Sequence, residues 1–368
     1  MDFNTDLKEE IAREVARETG IETSARDIED ILAGLQVTSH FWEVVMLARQ
    51  PFNVVSSAID FLARKGWVDT QQDGSLALTA AGKKVIEEQG IAPRQDHRCS
   101  RCHGRGVSLE KLNDLVARFK EVTARRPEPI LQYDQGYVTP ETTVSRIALM
   151  LDKGDLEGKR LLVLGDDDLV SLAAGLSGFP QEVVVLEIDD RLLDFINEVA
   201  RKEKLPVVAR KYDFRDRLPD EYVGHFDTFI TDPPETLDAL EICLGRGLTG
   251  LSGAGGAGYF GLTHAESSLS KWNRVQQLLV GKFGVVITDI IEDFNHYVNW
   301  DYLLPSIKSD LPFVQVEPRS NWYRSAMYRI QVLEKPVAFK NEPAACELYV
   351  DEEALIYRAT LKAAKGEG

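Results

Sequence analysis

The chain has 368 residues, 44% hydrophobic and 28% charged, with 59 acidic side chains against 43 basic ones and a net charge of −16. That length suffices for two domains and a core without covalent staples, and four cysteines in such a chain do not make a disulfide framework. The acidity argues against a general nucleic-acid binder, the charge-broken apolar runs are too short to span a bilayer, and the acidic start MDFNTDLKEE is no secretory signal; a cytoplasmic protein is expected.

Residues 1–90 read as a first unit. Helical periodicity runs through LKEEIAREVARETG to Gly20, followed by helices near Ser24–Leu35 and His40–Arg49. Pro51 and Asn53 then precede the amphipathic VVSSAIDFLARKGW, two short strands around Asp73-Gly74, and the helix AAGKKVIEEQG. Helices followed by a hairpin wing give the order of a winged helix-turn-helix domain. The unit carries 16 acidic and 9 basic residues, and its would-be recognition helix is basic only at its C-terminal end (Arg64, Lys65). Packing, dimerisation or lid duty therefore fits better than DNA reading, and a homodimer through these units is expected.

Residues 91–137 read as a linker with a connecting helix, EKLNDLVARFKEVTARR. It holds Cys99-x-x-Cys102 followed by His103, half of a zinc site by spacing. No second CxxC pair closes it, so a metal knuckle, a disulfide and a purely local turn stay open; a haem attachment does not suit a chain without a secretion signal.

From 138 to 335 strands and helices alternate. Thr139-Pro140-Glu141 is a strong helix start. Apolar strands KRLLVLG, EVVVLEID, PVVARKYD, FDTFITD, GAGYFGLTH and GVVITDIIEDF follow, mostly with helices between them. This is the mark of an α/β, doubly wound, mostly parallel, Rossmann-like sheet. Residues 336–368 are expected to add an edge segment and a flexible tail.

In such a sheet the ligand sits at the carboxyl ends of the strands. Those ends carry Gly165-Asp166-Asp167-Asp168, Glu187 with Asp189, Asp213-Phe214 and Asp232-Pro233-Pro234-Glu235. Glu187 stands where ribose hydroxyls are gripped. Asp189 either joins the donor site or caps the next helix. Asp213 and Phe214 are placed to accept an adenine amino group and to stack on the ring. Two prolines after Asp232 fix the backbone and leave carbonyls unpaired, a site that accepts hydrogen bonds from an amine and orients its lone pair. The DPPY-type motif of amino-methyltransferases works in this way.

The strand order with LEID, YDF and DPPE resembles the class I S-adenosylmethionine-dependent transferase fold. More narrowly, GDDD at 165–168 with DPPET at 232–236, behind a winged-helix N-terminus and with DQ…TPET at 134–142, resembles the branched-chain polyamine synthases. The resemblance implies transfer of aminopropyl groups from decarboxylated S-adenosylmethionine to the internal secondary amine of spermidine, with release of methylthioadenosine. The residues agree: three aspartates repel a donor carboxylate and attract an ammonium. Asp232, Glu235, Glu292 and Asp293 are expected to hold the cationic acceptor, with Tyr259, His264, Tyr297 and Trp300 as candidate walls of its channel. Asp167, Asp168 or Asp232 would take the proton, with Asp167 and Asp168 favoured and Gly165 and Asp166 shaping the donor turn. The competing readings are an N-methyltransferase and a non-catalytic winged-helix regulator.

Overall fold

The computed structural model describes residues 7–299, 314, 316–334, 339–349 and 351–354. The N-terminal unit consists of α1 (Leu7–Thr19), α2 (Ala25–Leu35), α3 (Phe41–Ala48), α4 (Phe52–Arg64), the antiparallel strands β1 (Val68–Thr70) and β2 (Leu76–Leu78), and α5 (Ala80–Glu88). Ser24 and Asp27 form a reciprocal capping box at the start of α2. The N-terminal turn of α4, Phe52 to Val55, is buried, and the Phe52 amide donates to the Ala265 carbonyl at 3.1 Å. The end of the helix that would have faced a base edge therefore packs against the second unit.

That second unit is built on a seven-stranded sheet. Its strands are β3 (Arg160–Leu164), β4 (Glu182–Glu187), β5 (Val207–Lys211), β6 (Thr228–Thr231), β7 (Ala257–Leu262), β8 (Val286–His296) and β9 (Arg324–Gln331), in spatial order β5-β4-β3-β6-β7-β9-β8. The first five are mutually parallel and β9 runs antiparallel to both its neighbours. The central strands β3, β6 and β7 are buried along nearly their whole length, as continuous apolar runs require when helices cover both faces. Helices α7 (Pro140–Asp152), α8 (Val170–Ser177), α9 (Asp190–Glu203), α10 (Leu237–Gly250) and α11 (Leu269–Gln277) complete the layers. The connecting helix α6 (Asn113–Val122) buries Leu115 and Phe119 in the same core as Val144, Ile147 and Leu161.

Leu164 pairs with Leu186 of β4 on one side and Thr231 of β6 on the other. Gly165, Glu187 and Asp232 therefore emerge side by side where the winding reverses direction, which is where a doubly wound sheet opens a ligand crevice.

Two expectations are corrected. The strand β9, not separately foreseen, inserts between β7 and β8, so β8 is the sheet edge. Among the described residues of 336–368 there is no edge strand: the segment runs across α10 and α11, with the Thr236 hydroxyl donating to the Leu348 carbonyl at 2.8 Å and Glu353 accepting from the Ser268 amide at 2.5 Å.

Candidate functional site

Two cavities meet at the carboxyl ends of β3, β4 and β6. The first, about 510 Å³ counting its mouth, is lined by Asp134, Asp167, Asp232, Glu235 and Glu266 together with Gly136, Pro233, Pro234, Tyr297 and Tyr323. The second, about 570 Å³ on the same count, includes Gly165, Glu187, Ile188, Tyr212, Asp213, Phe214, Leu348 and Tyr349 in its lining. Asp134, Asp167, Asp232 and Pro234 belong to both. Among the described residues no lysine or arginine lines either one.

The chain reaches this geometry through a tight turn. Gly165 has φ +69°, and a Cβ there would lie 3.5 Å from the Phe214 ring. The Asp166 amide donates to Glu187 Oε2 at 2.8 Å. The Asp166 carboxylate turns inward, accepting from the Ser171 hydroxyl and, at 3.3 Å, from the Ser171 amide, and so caps the first turn of α8. Burial pushes its carboxyl well up, against the Ser171 hydrogen bond. Asp168 is 2% exposed and absent from both linings; it accepts from the Val138 amide at 2.6 Å and from Arg146 Nη1 at 2.5 Å.

Of the triplet, Asp167 alone faces the cavities. Its Oδ2 accepts from the Gly136 amide at 2.9 Å. Burial, then repulsion from Asp168, Asp232 and Glu187, pushes its carboxyl up to about 8. Asp232 is held differently: Oδ2 accepts from Arg146 Nη2 at 2.7 Å and from the Tyr297 hydroxyl at 2.5 Å. Burial raises it, Arg146 opposes, and it settles at about 6. Room for this carboxylate comes from Gly261 on β7, where a Cβ would stand 2.1 Å from Asp232 Oδ1.

Glu187 is buried at the end of β4. Its Oε1 accepts from the Ile188 and Asp189 amides at 2.8 Å each, while burial raises its carboxyl. Asp189 proves to be the cap of α9 rather than part of a cavity wall, accepting from the Arg191 amide at 2.9 Å and from Gln135 Nε2 at 2.9 Å. Burial works against it, but the Arg191 and Gln135 hydrogen bonds hold its carboxyl below the usual range. Asp213 lines the second cavity with its carboxylate forked onto Arg215, at 2.6 Å from Nη2.

Glu292 and Asp293 do not join the amine rim. The irregularity between Ile291 and Asn295 of β8 turns both away: Asp293, at φ +52°, pairs with Arg98 Nη1 at 2.7 Å, and Glu292 lies 3.5 Å from His264. His264 stacks on Trp272 at 4.0 Å, and the buried Tyr259 donates to Asp155 at 2.5 Å; neither lines either of the two cavities. Trp300 falls outside the described residues. The metal reading of the CxxCH segment gains no support. Cys99, Cys102 and His103 form a turn closed by the His103 amide on the Cys99 carbonyl at 2.7 Å, both cysteines are free, and among the described residues no group of three His, Cys, Asp or Glu side chains is placed to hold a metal ion.

Sequence reasoning missed Asp134, Glu266, Tyr323 and Arg146. Asp134 sits at φ +52° after a 3₁₀ turn in the supposed linker, and burial with Glu266 and Asp167 nearby pushes its carboxyl well up. Burial, then Glu266 and Asp134, does the same to Glu235. Tyr323 donates to Glu266, and the buried Lys271 holds the Glu235 and Glu266 carbonyls at 3.0 and 3.2 Å. For Asp134 the sequence signal was the DQ…TPET stretch; nothing local marks Glu266, Tyr323 or Arg146, and the convergence of all four needs the fold.

A family model described as the branched-chain polyamine synthase A C-terminal domain matches residues 114–356. This chain belongs to the branched-chain polyamine synthase family. N(4)-bis(aminopropyl)spermidine synthases of Thermococcus kodakarensis and Methanocaldococcus jannaschii are 46% and 45% identical to it, each over 333 residues covering 89% of this chain and 94% of the relative. The crystal structure of the branched-chain polyamine synthase from Thermus thermophilus, in complex with N4-aminopropylspermidine and 5'-methylthioadenosine, is 40% identical. It superposes with a TM-score of 0.86 over 94% of this chain and 98% of that one.

Proposed function

We propose that this enzyme transfers aminopropyl groups from decarboxylated S-adenosylmethionine to the internal secondary amine of spermidine, giving N4-bis(aminopropyl)spermidine and methylthioadenosine. The observation that carries the reading is the pair of cavities sharing Asp134, Asp167 and Asp232 at their junction. The cavity with Glu187, Asp213 and Phe214 suits a nucleoside: carboxylates for ribose hydroxyls and the adenine amino group, an aromatic ring for stacking. The cavity walled by five carboxylates suits a polyamine. The ligands in the Thermus complex, a branched polyamine and methylthioadenosine, have these two chemistries. An ordinary methyl donor would bring its own carboxylate toward Asp167, which disfavours methyl transfer.

In this reading the amine lone pair attacks the carbon beside the sulfonium. The C–N bond forms, the C–S bond breaks, and its electron pair neutralises sulfur as methylthioadenosine leaves. A protonated amine has no lone pair, so the internal nitrogen must surrender its proton; Asp167, raised toward neutral pH and facing both cavities, is the acceptor. The second transfer falls on a tertiary amine and leaves a quaternary nitrogen, a permanent cation that Asp232 and Asp167 face. The sulfonium is a good leaving group, so positioning and electrostatics supply most of the rate. Mass spectrometry of the product from spermidine and decarboxylated donor tests the reading: a branched tetraamine and then a pentaamine are expected. A linear product, or tight binding of the ordinary methyl donor, overturns it.

A further inference from the structure

Beneath the two cavities lies a charge that neither of them touches. The Arg146 side chain, on α7, is 1% exposed. Its Nη1 donates to Asp168 Oδ2 at 2.5 Å, Nη2 to Asp232 Oδ2 at 2.7 Å, and Nε to Asn295 Oδ1 at 2.9 Å. Asn295 passes the contact on through Nδ2 to Ser325 Oγ at 2.8 Å, and Tyr297, which donates to Asp232, lies 3.2 Å from the same Ser325 oxygen. One guanidinium thus ties the turn after β3, the end of β6 and the inner residues of β8. A planar fork sets two carboxylates at fixed directions from two separate nitrogens; an ammonium carries its three donors on one nitrogen and fixes no such geometry.

We infer that Arg146 is a positioning residue for aminopropyl transfer: its two nitrogens hold Asp168 and Asp232 in place, fix Asp232 toward the amine, and leave Asp167 as the junction carboxylate that takes the proton. The inference rests on the aminopropyl-transfer reading above. All three carboxylates of the triplet accept from a backbone amide; Asp166 accepts in addition from the Ser171 hydroxyl and Asp168 from Arg146, whereas the Asp167 bond comes from the Gly136 amide. The groups facing this cluster come from every neighbouring element. They are Asp166 and Asp168 in the β3 turn, Glu187 from β4, Glu235 after β6, Tyr297 after β8, Asp134 before α7, and Arg126, stacked on Tyr137 at 3.7 Å with its charge toward the triplet. Acids dominate this set, so removing the guanidinium bonded to two of them makes the cluster harder to ionise as a whole. A buried ion pair of this kind contributes little net stability; its consequence is the distribution of charge.

Arg146→Gln and Arg146→Lys, each first shown to melt cooperatively, test this through two readouts. One is the rising limb of kcat/KM against pH; the other is the carboxyl ¹³C NMR titration of the donor-free protein. The limb is expected to move up by about one pH unit in the Gln variant and by less in the Lys variant, with the aspartate titration moving the same way. The substrate amines titrate identically in all three proteins, so the difference belongs to the enzyme. A folded Gln variant that is merely slower, with limb and titration unmoved, overturns the inference. If the Gln variant does not fold, the Lys variant decides, because its ammonium keeps the charge but not the fork that seats one nitrogen on Asp168 and the other on Asp232: an unmoved limb again overturns it. Should the wild-type protein transfer no aminopropyl group, the functional reading falls while the NMR titration still decides the distribution of charge.

Discussion

At the scale of single residues, the mechanism puts its weight on Asp167. Replacing it with Asn keeps the shape and removes the proton acceptor, so turnover is expected to fall about 10²- to 10⁴-fold. The pH dependence has a definite sign. Asp167 is raised from 3.8 to about 8 in the folded protein, so the neutral acid is what the fold favours and the base form grows in as pH rises through that value. Free-enzyme kcat/KM should climb toward pH 8, and Asp167→Asn should lose that limb; a limb persisting in the variant would assign the proton to another group. Gly261 carries a second expectation. An added Cβ meets Asp232 Oδ1 at 2.1 Å, so Gly261→Ala must displace that carboxylate, at a cost of about 10²-fold in kcat. If kcat is unchanged while folding is intact, the placement of Asp232 does not matter. Gly165, Glu187, Asp213, Phe214 and the DPPE segment were legible in the sequence because strand ends in an α/β sheet converge by rule. Gly261 and Glu266 were not legible, because nothing local marks a glycine that makes room for a distant carboxylate.

At the scale of elements, the turn between β3 and α8 explains why three aspartates follow a glycine. The three carboxylates do different things there. Asp166 caps α8, Asp167 faces the cavities, and Asp168 pins Arg146. As bare sequence the triplet is uniform, and only the turn separates its members. The N-terminal helices have an equally local consequence. Their core is continuous with Val138, Ala265, Tyr297, Trp322 and Tyr323, residues in or beside the acidic cavity. Trp42 of α3 packs on Trp322 at 4.3 Å and donates through its indole to the Val316 carbonyl at 2.7 Å. The unit therefore buttresses the polyamine side of the site. Trp42→Ala should cost about 3–5 kcal/mol of stability and raise KM for spermidine more than KM for the donor. Steady-state kinetics with each substrate varied in turn would show it, and equal changes in both constants would mean that the buttress does not reach the cavity.

At the scale of the whole molecule, the parallel part of the sheet was readable because its strands begin as apolar runs and most are followed by a helix. The antiparallel pair β8 and β9 was harder to read. The strand that fills the gap beside β7 is the last one among the described residues, and pairing between distant segments leaves no local periodicity to find. The same non-local assembly gathers Asp134, Asp166, Asp167, Glu187 and Glu235, and for each of them burial is the first cause of a raised carboxyl. In the window above the unfolded carboxylate range and up to about 8 for Asp167, the folded state binds more protons than the unfolded one, so these groups make stability fall as pH rises. Paired carboxylates such as Asp213 and Asp227 are held low by Arg215 and Arg160, and Asp227 is so despite its burial. Their stabilisation is present above the unfolded carboxylate range and is lost on acidification. The two sets together predict that Tm of the free protein peaks in mildly acidic buffer and declines toward pH 9. Spermidine supplies the missing cations, and a ligand that binds only the folded state stabilises it by mass action. Added without donor, it should raise Tm more at pH 8 than at pH 6, because Asp167, raised to about 8, is far more ionised at the higher pH, and salt should weaken the effect. Thermal melts across that range, with and without spermidine, would check this. A Tm gain that is equal at both pH values would mean that the amine does not meet the raised carboxylates at all.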